Sequence, residues 1–385
     1  MSERSRRTRV ISADSHVVEP ADLFVECIDP AFRDRAPRVV EHPELGSIWE
    51  VEGIGYPSVE LMGGAGRSIE EIDLHARFER ARQGGWDASE RLRDMDTSGV
   101  DAALLYPTVG FHSYGIADAA LLGAVLAAWN GWIAAYCRAA PHRLKGVGCV
   151  ILDDVDLAIA EMERCRRLGL ATVNVPSRLE GPHYGTGAYD RFWAAAQDLD
   201  LPVSTHIGSN RGVHAHGRAK EWTQRLVAEP LREYGNGQIA LPDYGVQELL
   251  FQLIASGVFA RFPRLRFVCA EFEAGWAAPM LAHMDATIWE GTHPYLAYDL
   301  PLAPSEYFRR NVALTFIRDA VAVRCRDLIG VDNLMWSDDY PHLESCWPDS
   351  SQVIDRVLPE ALVPADERSR ILHGNASRIY GWPDA

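Results

Sequence analysis

Asp14 and His16 lie two residues apart at the end of an apolar run, so an extended strand projects both side chains to one face. His206 closes a second such run, Glu271 a third and the pair Asp338-Asp339 a fourth. Histidines and carboxylates converging on one concave mouth make a ligand set for a divalent first-row ion such as Zn2+ or Mn2+. Such an ion lowers the pKa of a bound water from about 15.7 toward about 7 and polarises substrate oxygens. The same apparatus serves two reactions. Water attack on a carbonyl gives hydrolysis, whereas protonation of a chelated ring or enol carbon gives loss of CO2. Arg178, Arg211 and Arg318 sit just past the fourth, fifth and seventh predicted strands, and any of them could hold a substrate carboxylate bidentately. Tyr106, Trp222, Trp289, Trp336 and Trp347 suit a flat or aromatic substrate. His342, just after Pro341, stands between a supporting role and direct substrate contact. His214 and His216 have ligand-like spacing but sit in a Gly-flanked loop, which favours a lid contact over a second metal. No Ser-His-Asp set argues for a serine nucleophile.

These residues need elements that bring them to one place. Short apolar runs predict strands at Val10–Asp14, Ala102–Tyr106, Gly146–Ile151, Ala171–Val175, Pro202–His206, Arg266–Glu271, Val312–Phe316 and Asn333–Asp338. Amphipathic segments alternate with them, among them Asp153–Leu168, Tyr189–Leu199, Val246–Phe259, Gly275–Trp289 and Asp319–Ile329. Continuous apolar strands separated by helices indicate a parallel sheet buried on both faces. Eight such units predict a (β/α)8 TIM barrel, a single domain over residues 1–385 with its chemistry at the strand-exit mouth. A doubly wound sheet fits less well, because Asp14-Ser15-His16 stands where a Gly-rich phosphate turn belongs. Two stretches break the repeat, about 19–85 and 209–243. Both follow strand exits, and loops of that length inside a compact domain are usually functional, so they are expected to cover the mouth, with Trp222 approaching the pocket.

Composition narrows the partners. The chain has 385 residues, 38 Lys+Arg against 54 Asp+Glu, and a net charge of −16. That balance argues against nucleic acid or an anionic membrane as partner. No apolar run was expected to reach the ~18 to 20 residues of a membrane span. Seven scattered cysteines without a CxxC pair point to a reducing cytoplasm. The four arginines within the first nine residues are interrupted too soon by polar residues to make a targeting segment.

The segments Ile11-Ser12-Ala13-Asp14-Ser15-His16, Leu201-Pro202-Val203-Ser204-Thr205-His206 and Ser337-Asp338-Asp339-Tyr340-Pro341-His342 resemble the amidohydrolase superfamily. The likeness is to its amidohydrolase-related branch, which includes aminocarboxymuconate-semialdehyde decarboxylase and the resorcylate decarboxylases. The stretch from Ser256 to Pro263 and the tail from Gly374 to Gly381 resemble the same branch, so the likeness spans nearly the whole chain. The resemblance implies a metal-dependent barrel with Asp14, His16, His206 and Asp339 as ligands of one divalent ion, zinc first and manganese second. Asp338 then becomes a supporting or substrate-facing group, or the ligand itself if the register differs by one. Two departures matter. Glu271 stands where the branch carries a His at the sixth strand, and could act as general base or extra ligand. No lysine ends the fourth strand, so a mononuclear site is implied.

The loss of the sixth-strand His tips the expectation to a hydrolase of a small cyclic, aromatic or dicarbonyl substrate, with Glu271 and Asp339 catalytic. Tyr106, Arg178, Trp222, Asp338 and His342 are the expected substrate contacts. The alternative is a non-oxidative decarboxylase of an aromatic or unsaturated acid. A catalytically dead barrel kept for binding would need an incomplete metal set. A homodimer is expected from the relatives.

Overall fold

The computed structural model describes residues 8–73, 75–212, 245–292 and 299–383. Eleven strands occur among them: β1 (Ile11–His16), β2 (Arg38–His42), β3 (Gly46–Val51), β4 (Ile54–Ser58), β5 (Ala102–Tyr106), β6 (Leu144–Cys149), β7 (Thr172–Val175), β8 (Val203–His206), β9 (Phe267–Ala270), β10 (Val312–Phe316) and β11 (Leu334–Trp336). Eight pair in the order β1-β5-β6-β7-β8-β9-β10-β11, every ladder parallel. All eight coincide with the runs expected from sequence, to within a residue or two at each end.

The ring closes between β11 and β1 without a regular ladder. The Asp339 N–H donates to the Asp14 carbonyl (3.1 Å) and the His16 N–H to the Tyr340 carbonyl (2.6 Å). Two residues expected to carry chemistry thus also seal the barrel. The strands β5 and β10 are buried at every position, as a sheet covered by helices on its outer face requires. Helix Val155–Leu168 illustrates the covering layer. The Asp154 carboxylate caps it by accepting from the Asp156 and Leu157 N–H groups, and Gly169 ends it at φ +83°. Its Cys165 packs so closely on Gly148 of β6 that a Cβ there would lie 2.6 Å from the sulfur.

Two expectations need correction. Helix Ala119–Cys137 is, at 19 residues, long and apolar enough to cross a membrane. It is instead tied into the barrel. The Trp129 indole donates to the Val147 carbonyl (3.0 Å), and the Asn130 side chain exchanges hydrogen bonds with the backbone of Cys149 (2.9 and 2.7 Å). A helix that is apolar on all sides belongs in a core as readily as in lipid. Secondly, the 19–85 stretch is not structureless, because β2, β3 and β4 form an antiparallel sheet inside it. Glu60, wholly buried, receives Arg67, Arg80 (2.9 Å) and the Asp73 N–H (2.6 Å) and fastens the insertion to itself. The stretch packs on the loop after β11 through Ala65 N–H to Pro341 O (3.0 Å) and Leu343 N–H to Leu61 O (3.3 Å). It therefore stands at the strand-exit end. Of the second insertion, residues 213–243 lie outside the described residues, and with them Trp222, His214 and His216.

Candidate active site

Six side chains meet where the strands exit. From β1 come Asp14 and His16, and a bulge between Ser12 and Ser15 re-aims the strand around Asp14. From β8 comes His206. Glu271 follows β9 directly, and Asp339 and His342 follow β11. Glu271 Oε2 lies 3.1 Å from His16 Nε2 and 3.0 Å from His206 Nε2. Asp14 Oδ1 lies 3.7 and 3.5 Å from the same two nitrogens. Asp339 Oδ1 is 3.4 Å from His16 Nε2 and 2.9 Å from His342 Nδ1. Asp14, His16, His206 and Asp339 are almost completely buried, whereas Glu271 keeps 21% exposure and so faces the opening.

Local backbone explains how the two late carboxylates arrive. Glu271 and Asp339 adopt φ of +62° and +56°, the left-handed region that non-glycine residues enter at a cost. His206 and Ala270 are register partners, so a strand continuing past Ala270 would turn residue 271 away from the histidine side. The left-handed turn brings it back. The Glu271 N–H donates to Thr315 Oγ1 (2.9 Å), and that hydroxyl donates to Asp14 Oδ2 (3.1 Å), which locks the two carboxylates to one anchor.

The two histidines are preset as ligands. Nδ1 of His16 donates to the Pro107 carbonyl (2.9 Å) and Nδ1 of His206 to the Ile207 carbonyl (2.7 Å). Since a carbonyl can only accept, each neutral ring is left with its Nε2 lone pair pointing into the site. With both rings neutral those lone pairs face carboxylate oxygens, an arrangement that repels unless a proton or a metal ion lies between. Asp14 Oδ1, His206 Nε2 and both carboxyl oxygens of Asp339 are buried without a hydrogen-bond partner in the protein. Asp14, His16, His206 and Glu271 form one set of atoms within 4.8 Å of one another, and His16, Glu271, Asp339 and His342 a second. This donor set fits a divalent ion.

Charge follows the same geometry. Burial, with His342 nearby, pushes His16 down to about 3 and keeps it neutral. Burial opposes charge on His206, but Glu271 and Asp14 outweigh it and hold that ring well above its usual value. Burial raises Glu271 too, and His206 and His16 together overcome it, leaving this carboxylate ionised. Asp339 is pushed well above the ordinary carboxyl range by burial and by the charges of Glu271 and Asp14.

Several expected contacts are not brought to the cluster. Asp338 is instead tied into the fold: its Oδ1 accepts from Ser12 Oγ (2.7 Å), Ser15 Oγ (2.5 Å) and the Tyr340 N–H (3.3 Å), so it staples β11 to β1. Asp338→Ala would leave two buried hydroxyls without their charged acceptor and should cost about 2–3 kcal/mol, read as a lower denaturant midpoint. Tyr106 is completely enclosed and forms the floor, its ring 4.9 Å from that of His206, instead of a wall open to ligand. Arg178 is exposed and lines a separate hollow with Tyr184, Glu248 and Gln252, whose described walls include none of the six. Arg211 is forked on Asp153 (2.6 and 3.1 Å) and bonded to the Tyr114 and Ile116 carbonyls, and Arg318 holds the Glu344 and Ser345 carbonyls (2.7 and 3.0 Å). Trp336 is core, and Trp347 lies under Arg82 at 3.4 Å.

Sequence reasoning missed Phe111, stacked on His206 (4.5 Å, 27°), and Thr108, 3.0 Å from His342 Nε2. Neither carries a local signal. Thr315 did carry one, as the sole hydroxyl in the apolar run Val312–Phe316.

Comparison with known proteins agrees with this geometry. Residues 72–382 match the Amidohydrolase family. Gamma-resorcylate decarboxylase of Polaromonas sp. JS666 is 25% identical over 303 residues, covering 75% of this chain and 86% of that protein. An amidohydrolase from Mycobacterium avium subsp. paratuberculosis K-10 superposes with a TM-score of 0.74 at 20% identity, over 97% of this chain and 98% of that one. A dihydroxybenzoic acid decarboxylase from Polaromonas sp. JS666, solved with manganese and the inhibitor 2-nitroresorcinol, superposes at 0.65 and 19% identity over 98% of both chains. The expectation of hydrolysis is thereby overturned, since the relative that aligns along most of the chain is a decarboxylase. The geometry supplies the reason. Glu271, the residue that tipped the balance, sits against two imidazoles and is not a free base.

Proposed function

The chain belongs to the amidohydrolase family, and on that premise we propose that it is a metal-dependent, non-oxidative decarboxylase of a hydroxylated aromatic carboxylic acid. One observation carries the reading. Asp339 turns Oδ1 toward His16 and His342 and keeps Oδ2 buried without a partner in the protein, the placement of a carboxyl that holds a proton for a bound molecule. Asp14, His16, His206 and Asp339 would hold the divalent ion. When bound, the ion draws electron density from the substrate's oxygens and offsets part of the carboxylate charge.

The residues account for the rest. Asp339 delivers the proton from Oδ2 to the ring carbon that bears the carboxylate. A substrate hydroxyl group feeds electrons into the ring to accept it. The bond from that carbon to the carboxylate then breaks, its electron pair restores aromaticity, and CO2 leaves. His342, 2.9 Å from Asp339 on one side and 3.0 Å from Thr108 on the other, returns a proton to Asp339 from the mouth. Phe111 and Tyr106 against His206, and His342 against His16, surround the site with rings, which suits a planar aromatic substrate. Two carboxylates with two imidazoles can hold manganese or zinc, and manganese, the ion held by the structural neighbour, is the one proposed here. A cytoplasmic homodimer completes the proposal. All seven cysteines stand as free thiols, which suits a reducing compartment, and light scattering checks the dimer.

Incubating the manganese-loaded protein with a panel of 2-hydroxy- and 2,6-dihydroxybenzoates in D2O tests the reaction. The expected result is one CO2 per phenol formed and one deuterium at the vacated ring carbon. A panel that releases no CO2 refutes the assignment.

A further inference from the structure

The four ligands given to the ion above leave Glu271 unexplained, although its Oε2 is nearly equidistant from His16 Nε2 and His206 Nε2, at 3.1 and 3.0 Å. Glu271 and His16 belong to both overlapping ligand-like sets, so Glu271 joins the Asp14 side of the site to the Asp339 side. Its backbone is turned left-handed at φ +62° to bring the carboxylate in. A residue held in a costly conformation at a site usually serves the site. The Thr315 hydroxyl, bonded both to its N–H and to Asp14, fixes it there.

We propose that Glu271 is a direct fifth ligand of the divalent ion, which makes the set three carboxylates and two imidazoles. The inference rests on the metal-dependent reading above and deepens it. Two consequences follow from the chemistry of that set. A five-donor, oxygen-rich site suits an ion that takes six ligands, such as Mn2+, and disfavours the four-coordinate preference of Zn2+. With Asp339 carrying the proton it delivers, the charges of Asp14 and Glu271 balance a dication, so the filled site would be formally neutral and would take a substrate anion without a further counter-ion.

The test is metal affinity, read by competition with a chromophoric chelator and independent of turnover. Glu271→Gln keeps the shape and removes the charge. It should weaken Mn2+ about 10- to 100-fold or more, the lower bound set by losses seen when only a ligand's supporting partner is removed. Zn2+ should weaken less, so the Mn2+/Zn2+ ratio falls. Glu271→Asp keeps the charge but withdraws the oxygen by one methylene, and it should weaken Mn2+ as well. Circular dichroism of the metal-free Glu271→Gln protein checks that it is folded. Wild-type Mn2+ affinity in Glu271→Gln overturns the inference. Wild-type affinity in Glu271→Asp alone overturns direct ligation in favour of charge. If wild type binds neither ion, the metal-dependent reading falls and this inference falls with it.

Discussion

Purified His206→Ala is expected to carry almost no divalent ion, against one per chain in wild type, and to lose about 10^3-fold or more in kcat/KM. His206 presents Nε2 to Asp14 (3.5 Å) and Glu271 (3.0 Å), and its Nδ1 is committed to the Ile207 carbonyl, so no rotation of the ring substitutes for it. Removing it leaves three carboxylates converging with one fewer donor to share the cation. A metal contribution of about 4 kcal/mol to the transition state corresponds to that 10^3-fold. Phe111, stacked on His206, and Tyr106 beneath it would also collapse toward the vacancy, so imidazole added to the medium should rescue poorly. Elemental analysis that finds wild-type metal in His206→Ala would sink the ligand assignment, whatever the activity.

The barrel was legible because its strands carry their own signal. Runs such as Ala102–Tyr106 and Val312–Phe316 are buried on both faces, and nothing but a parallel sheet under helices buries a strand so completely. The sheet of β2, β3 and β4 was not, because β2 is only half-buried and Glu41 and Glu50 stand among the apolar positions of β2 and β3. Within the site, the residue types announced the metal, and Asp14, His16, His206, Glu271 and Asp339 do converge. Roles were harder. Asp338 and Asp339 differ by one position, yet one faces Ser12 and Ser15 and the other the histidines. That choice depends on a left-handed turn at Asp339 that no side chain encodes. Glu271 misled for the same reason: a carboxylate in place of a histidine reads as a base until its distance to two Nε2 atoms is known.

Asp339→Asn separates holding the ion from supplying the proton. The amide keeps an oxygen where Oδ1 now faces His16 and His342, so metal content should fall only partly. It cannot give up a proton as a carboxylic acid does, and the loss of a general acid costs about 10^2- to 10^4-fold. The expected result is therefore a kcat lowered by at least 10^2-fold, with KM changed little, in protein that still retains manganese. His342→Gln is the companion. It breaks the link from Asp339 to Thr108 while leaving the acid in place, so it should slow proton return and affect kcat less than Asp339→Asn does. Carbon isotope effects distinguish the steps. If Asp339 protonates the ring, its loss makes protonation limiting and suppresses the 13C effect on CO2 release while raising the solvent deuterium effect. Full activity in metal-loaded Asp339→Asn would move the proton to another group, with His342, 2.9 Å from Asp339, the first to test.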